Sequence, residues 1–192
     1  MKRIIFNLMA FAFIASFSSC GYNSMVEKQE SVDAAWSQVQ NVYQRRADLI
    51  PNLVATVKGY AKHESQTLEA VIAARARATQ ITIDPNKLTP ENIQKFQSAQ
   101  DGLSTALGKL MMITENYPDL KANQNFLDLQ AQLEGTENRI STERRKFNEA
   151  VKEYNTYIRK FPNNLTASMF GFEKKAYFEA QAGSDKAPKI EF

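Results

Sequence analysis

Two groupings in this 192-residue chain could do chemistry directly: its single cysteine, Cys20, and the one place where a histidine adjoins a carboxylate, His63-Glu64. A His-Glu pair is half of a zinc-hydrolase helix, but that motif needs a second histidine on the same face, and the chain has only one. His63 therefore reads as a surface residue. A lone cysteine permits neither an internal disulfide nor a Cys/His metal cluster. There is no Gly-x-Ser-x-Gly elbow and no phosphate-cradling glycine loop. The expectation is a protein without catalytic activity, cofactor or metal.

Cys20 points to a different chemistry. Met1-Lys2-Arg3 is a positively charged start, Ile4 to Ser16 is an apolar run, and Phe17-Ser18-Ser19 leads into the thiol. This is the layout of a secretory signal peptide. With a cysteine at the cut it reads as a bacterial lipoprotein signal, in which residues 1–19 are removed and Cys20 is acylated. Phe17 departs from the leucine usual at that position. Two acyl chains, at ~0.8 kcal/mol for each buried CH₂, hold a protein stably on a bilayer. An uncleaved transmembrane helix is one alternative, although the run is shorter than the roughly 20 apolar residues a span requires and Asn7 interrupts it. A secreted free thiol and a buried structural cysteine are the others. Residues 20–25 read as a short tether, residues 26–182 as the folded domain and 183–192 as a flexible tail.

Arg46 and Glu143 are charged residues on otherwise apolar helical seams. They are candidates for a buried ion pair, or each could snorkel to an edge. Arg45-Arg46 and Glu143-Arg144-Arg145-Lys146 are local basic clusters of the kind that solvated helix faces carry.

The elements that must position these groups are helices. Seven glycines and six prolines are few for this length, and Ala, Gln, Glu, Lys and Leu are abundant. Val32, Trp36, Val39, Tyr43, Ile50, Leu53, Val57 and Tyr60 recur at the 3–4 spacing of a packed bundle, with Arg46 filling the gap. Pro51 lies inside this pattern and predicts a kink near Ala47 or a restart capped by Asp48. Leu68, Ile72 and Ala76 mark a second segment over 65–80. Asp84-Pro85-Asn86 breaks the chain, and Thr89-Pro90-Glu91 restarts it with a hydroxyl cap and a proline at the first helical position. Ile93, Phe96, Gln100, Leu103, Leu107, Leu110, Thr114 and Tyr117 form the next seam. The longest stripe runs from Phe126 through Leu129, Leu133, Thr136, Ile140, Glu143, Phe147, Ala150, Tyr154 and Tyr157 to Phe161. Gly59, Gly102, Gly108 and Gly135 fall within helical patterns and suggest close helix contacts. No segment alternates with period two. The prediction is an all-α fold, an antiparallel up-and-down bundle of three to four long helices.

Charge excludes one class of partner. The chain carries 24 Lys+Arg against 21 Asp+Glu, and loss of Lys2 and Arg3 with the leader leaves 22 against 21. A protein that grips nucleic-acid phosphates would keep a clear basic excess.

Several words of the chain resemble the LemA family. Arg45 to Glu64, with Leu-Ile-Pro-Asn-Leu at its centre, is one. Ala35-Trp36-Ser37-Gln38-Val39, Ala74-Arg75-Ala76, Glu115 to Asn123, Gln130 and Glu134 to Ile140 also agree, as do Tyr154-Asn155, Phe161-Pro162, Gly171-Phe172 and Tyr177 to Ala180. The resemblance covers roughly residues 22–192. It implies a LemA-like helical bundle on the extracytoplasmic side of a bacterial membrane, inner or outer, held by an N-terminal anchor. It brings no established activity and no functional residues. Family genes often neighbour those of membrane metalloproteases, which makes a membrane protease one conceivable envelope partner. Within this resemblance Tyr117-Pro118-Asp119 reads as a helix-to-helix corner with Asp119 capping the next helix, and Tyr117, Pro118, Asp119 and Lys121 as a partner-contact corner.

Two functions compete, and a third, a hydrolase, would need convergent acids with shifted pKa values in a cleft. One of the two is an envelope scaffold or protein-interaction module presenting helix faces and corners. The other is a carrier or sensor that binds an apolar or lipid ligand among Phe161, Phe170, Phe172, Tyr177 and Phe178. A solvent-open apolar pocket at those residues would favour the carrier, and a filled aromatic cluster the scaffold.

Overall fold

Helix-forming composition and the 3–4 seams become six α-helices, with no strand among the described residues. The computed structural model describes residues 2–179, with side chains described from Gly21 onward. The Cys20 side chain and the expected tail 183–192 lie outside what is described. The helices are α1 (Lys2–Tyr60), α2 (Ser65–Gln80), α3 (Pro90–Thr114), α4 (Pro118–Lys121), α5 (Gln124–Arg159) and α6 (Asn163–Phe170).

The long helices α1, α2, α3 and α5 form the expected up-and-down bundle, with α5 packed along α1 and α3 along α2. The antiparallel register of α1 and α5 is read from side-chain pairs. Moving along α1 from Trp36 to Arg46 to Tyr60 moves back along α5 from Phe147 to Glu137 to Asn123 by the same numbers of residues.

Pro51 does not break α1, which continues unbroken to Tyr60. The fourth helix arises instead from the turn at Ala61–Glu64. The prediction of a restart capped by Asp48 is thereby corrected, since Asp48 Oδ1 accepts a hydrogen bond from Gln44 Nε2 within the helix. At the start of α3 the expected cap is present: Thr89 Oγ1 accepts from the Asn92 N–H, with Pro90 at the first helical position.

The core has two parts. One centres on Trp36, Phe96, Phe147 and Phe178, the other on Ile50, Leu53, Leu103, Leu110 and Phe126. The α3 seam is buried as predicted from Ile93 to Thr114, while Tyr117 is half-buried. The α2 face differs in phase, with Leu68, Val71, Ala74 and Ala78 inside and Ile72 and Ala76 outside. In α5 the stripe leaves the strict heptad after Phe147 and proceeds through Val151, Tyr154, Asn155 and Ile158. A helix with 3.6 residues per turn drifts about 20° per heptad against a 3.5 repeat, so a long stripe must shift its register.

Residues 21–25, expected as a tether, are helical; Met25 is fully buried and Tyr22 meets the rings of Phe170 and Phe172 at 5.0 and 5.7 Å. Gly59, Gly102, Gly108 and Gly135 do not mark close contacts, because a Cβ at each would meet nothing within 4 Å. Among the described residues no helix is long and apolar enough to cross a membrane.

Candidate functional site: the far corner and its supports

The far corner is built where the α1–α2 turn meets the α3–α4–α5 turn. Tyr117 donates its hydroxyl to Glu64 Oε1 at 3.1 Å, and Asn123 Nδ2 donates to the Tyr60 hydroxyl at 2.9 Å. Partial burial and the Glu64 carboxylate push the Tyr117 hydroxyl above its ordinary pKa. Leu120 is fully buried and pins the short α4, leaving Pro118 and Asp119 exposed. Lys121 Nζ pairs with Glu115 Oε2 at 2.5 Å across the same turn. His63 is exposed beside this corner. The four residues expected as a partner-contact corner thus lie together on one turn, with Tyr117 tying that turn to the residue that precedes α2.

One expected role changes hands. Asp119 stands in the first turn of α4 and does not cap the next helix. Asn123 does: its Oδ1 accepts from the Phe126 N–H at 3.1 Å while its Nδ2 holds Tyr60. One side chain caps α5 and fixes it to the end of α1.

The expected Arg46–Glu143 pair is not formed. Arg46 is only 1% exposed, and its Nη1 donates to Glu137 Oε1 at 2.6 Å and to Ser104 Oγ at 2.8 Å. Its Nη2 donates to Gln100 Oε1 at 2.7 Å, and Gln100 Nε2 donates on to the Ala78 carbonyl at 3.2 Å. Glu143 instead accepts from Lys146 at the bundle edge. The reason is axial. The α1–α5 register places Glu143 opposite Gln40, six residues or about 9 Å along the helix from Arg46. The node ties α1, α3 and α5 together, with Gln100 reaching α2. Beside it lies a cleft of about 220 Å³ whose lining includes Tyr43, Gln44, Ala47, Ala78 and Gln100. Burial pushes the Tyr43 hydroxyl up, against the lowering charges of Arg144 and Arg46.

Two supports lie outside the sequence expectations. Arg75, which reads as an ordinary surface arginine, donates from Nε to the Ala47 carbonyl at 2.7 Å. The other is a strap. After Gly171, whose φ of 74° ends α6, residues 172–179 run along the bundle in neither helix nor strand, and the Ala176 N–H donates to the Leu88 carbonyl. Asn155 pairs through both amide atoms with the backbone N–H and carbonyl of Lys175, and Asn148 does the same with Phe178. Both asparagines mimic a neighbouring strand. Their seven-residue spacing on one face of α5 is the available signal.

The strap sets Phe178 against Trp36, Phe96 and Phe147, with ring centroids 5.4 to 6.3 Å away. Arg144 covers the same ring at 4.7 Å. The aromatic set considered for an apolar ligand is therefore divided. Phe178 fills the core, Phe172 is half-buried, and Phe161, Phe170 and Tyr177 are exposed. Among the described residues no cluster of His, Cys, Asp and Glu could hold a metal ion.

Comparison with known proteins places these features. Residues 35–192 match the sequence model of the LemA family. The chain is 28% identical to magnetosome protein MamQ 2 of Paramagnetospirillum magneticum, across 95% of this chain and 73% of that protein. It is 26% identical to magnetosome protein MamQ of Magnetospirillum gryphiswaldense, across 85% and 66%. It is 25% identical to protein LemA of Metamycoplasma hominis, across 82% and 68%.

Proposed function

Since this chain belongs to the LemA family, we propose that it is a membrane-anchored extracytoplasmic protein without catalytic activity, an envelope scaffold. It is held at Cys20 through an acylated N-terminus and presents its far corner to a protein partner. The single observation that carries the reading is the separation of two unlike ends on one continuous rod. From Gly21 to Tyr60, α1 rises roughly 59 Å at ~1.5 Å per residue. A bilayer at the Cys20 end leaves Tyr117, Pro118, Asp119 and Lys121 far outside the headgroup region.

The interior supports the same reading. Both Nη atoms of the buried Arg46 are engaged in holding helices, and Phe178 packs its ring among Trp36, Phe96 and Phe147. The open groove of about 560 Å³ beside Tyr177 and Phe178 is otherwise lined by charged and polar residues, among them Arg144, Arg145, Glu149 and Lys152. The relatives cited above are named for a family or for a cell structure and not for a reaction. Their partners are their own; for this chain an envelope protein is the partner class, with membrane proteases the first to examine.

Two measurements test the proposal. Mass spectrometry of the mature N-terminus is expected to find acylated Cys20, and an unmodified thiol there rejects the lipid anchor. Crosslinking of the membrane-bound protein in cells is expected to recover a specific envelope neighbour. Recovery of none rejects the scaffold.

A further inference from the structure

The end of the bundle opposite the corner carries an apolar surface that no packing requirement explains. Phe161, Leu165, Met169 and Phe170 are 81%, 62%, 71% and 56% exposed, four of the ten large exposed hydrophobics among the described residues. Leu165 and Met169 stand four apart on one face of α6, while Ala167 on the opposite face is buried against the bundle. From Phe161 to Phe172 there is no charged residue; Arg159 and Lys160 precede the segment and Glu173 and Lys174 follow it, while Lys175 turns its Nζ to the Pro85 carbonyl at 2.9 Å.

Its position singles out what covers it. A Cβ on Gly21 would come within 3.3 Å of Asn163 Oδ1, and Tyr22 packs its ring against Phe170. The α6 face therefore lies level with the residue that follows Cys20. Upstream, α1 leads into the apolar run Ile4 to Ser16.

We infer that the exposed face of α6, with Phe161, rests in the headgroup–acyl boundary of the bilayer, where the flanking basic residues meet anionic lipid. This rests on the anchoring proposed above, and it gives that anchor a second contact. An acyl anchor alone leaves a rod free to pivot. A helix face buried several ångströms into the interface beside the anchor sets the rod's tilt and points the corner away from the membrane. Phe and Leu side chains suit the apolar face of an interfacial helix, and basic residues near an anionic surface add attraction.

The test uses the full-length protein with a benzoylphenylalanine photocrosslinker in place of Leu165, or of Met112 at the opposite end. Both positions are exposed, so neither replacement removes a core side chain. The protein is reconstituted in vesicles of phosphatidylcholine and phosphatidylglycerol, floated, irradiated and weighed by mass spectrometry. The expected result is a phospholipid mass shift at position 165 and none at 112. Flotation without a lipid adduct at 165 overturns the α6 assignment and leaves the anchor standing. An adduct at 165 to a second copy of the chain assigns the face to self-association and also overturns it. Failure to float overturns the anchor, and the α6 assignment falls with it.

Discussion

Arg75 on α2 donates its Nε hydrogen bond, at 2.7 Å, to the carbonyl of Ala47 on α1. That carbonyl is the one which Pro51, four residues later and lacking an N–H, cannot satisfy. A proline inside a long helix is thus complemented by a side chain from the neighbouring helix, and α1 continues instead of breaking. Ala74-Arg75-Ala76 and Leu-Ile-Pro-Asn-Leu, two separate words of the family resemblance, are two halves of one contact.

This contact is measurable as a coupling. Arg75→Ala is expected to destabilise by ~1–2 kcal/mol, since it leaves a carbonyl without its donor. In a Pro51→Ala background the backbone regains the missing N–H, and the cost of Arg75→Ala should shrink by ~1 kcal/mol. A double-mutant cycle from chemical denaturation reads this directly. Strict additivity would show that Arg75 acts elsewhere.

The central node makes a second prediction. Glu137→Leu removes the carboxylate paired with the buried Arg46 and is expected to cost ~1–3 kcal/mol, below the usual value for a fully buried pair because Glu137 is half exposed. Glu143→Leu, whose oxygen binds only Lys146 at the edge, should stay within ~0.5 kcal/mol of the parent. Thermal melts of the two variants rank them. The reverse order would restore the pairing expected from the seams.

Much of the fold is legible in the sequence, and the misses share a physical cause. Periodicity identifies which face of a helix is buried, so the α3 seam and the Arg46 position are readable. It says nothing of axial offset between helices far apart in sequence, so the seams offer Glu143 to Arg46 where the register selects Glu137. The exposed corner is readable because Tyr-Pro-Asp is turn chemistry. The cap at Asn123 is hidden because Asp119, another good capping residue, comes first along the chain. The strap is legible only in part: the aromatic run Met169 to Phe172 ahead of Tyr177-Phe178 belongs across the bundle's end or flank, but a segment clipped by asparagine amides has no periodicity of its own to give its register.

The strap supplies a third prediction. Asn155→Ala together with Asn148→Ala removes four hydrogen bonds to the backbone of residues 175 and 178. Limited proteolysis is expected to cut within 172–179 in this variant and to leave the parent intact there. Phe178→Ala should cost ~3–5 kcal/mol by emptying its place beside Trp36 and Phe147. An uncut double variant would mean that the asparagines do not hold the strap.

Tyr154 predicts a pH dependence. It is 1% exposed, and burial first, then the Asp33 and Glu173 carboxylates, push its hydroxyl from 10.0 to about 12. The folded protein thus keeps the proton longer than the unfolded chain does. The stability this brings is complete below pH 10 and is lost as pH rises through about 12, a difference of about 2–3 kcal/mol at 1.36 kcal/mol per pH unit. Between about pH 9 and pH 12 the parent should lose that much more unfolding free energy than Tyr154→Phe. Parallel losses would contradict the assignment.

The glycines give a further prediction, opposite in sign. Because no atom stands near a Cβ at Gly102, Gly108 or Gly135, each Gly→Ala change should stabilise its helix by ~0.5–1 kcal/mol. Denaturation midpoints of the three single variants check this, and destabilisation at any of them would reveal a contact or bend that the site needs.

The most direct test of the scaffold is positional crosslinking in living cells. A photocrosslinker replaces the exposed Asp119 at the corner or, as a control, the exposed Gln132 on the shaft of α5. Recovery of one specific envelope protein from position 119, and not from 132, is the predicted result. Equal recovery at both positions, or none at 119 while the protein remains on the membrane, contradicts a partner-binding corner.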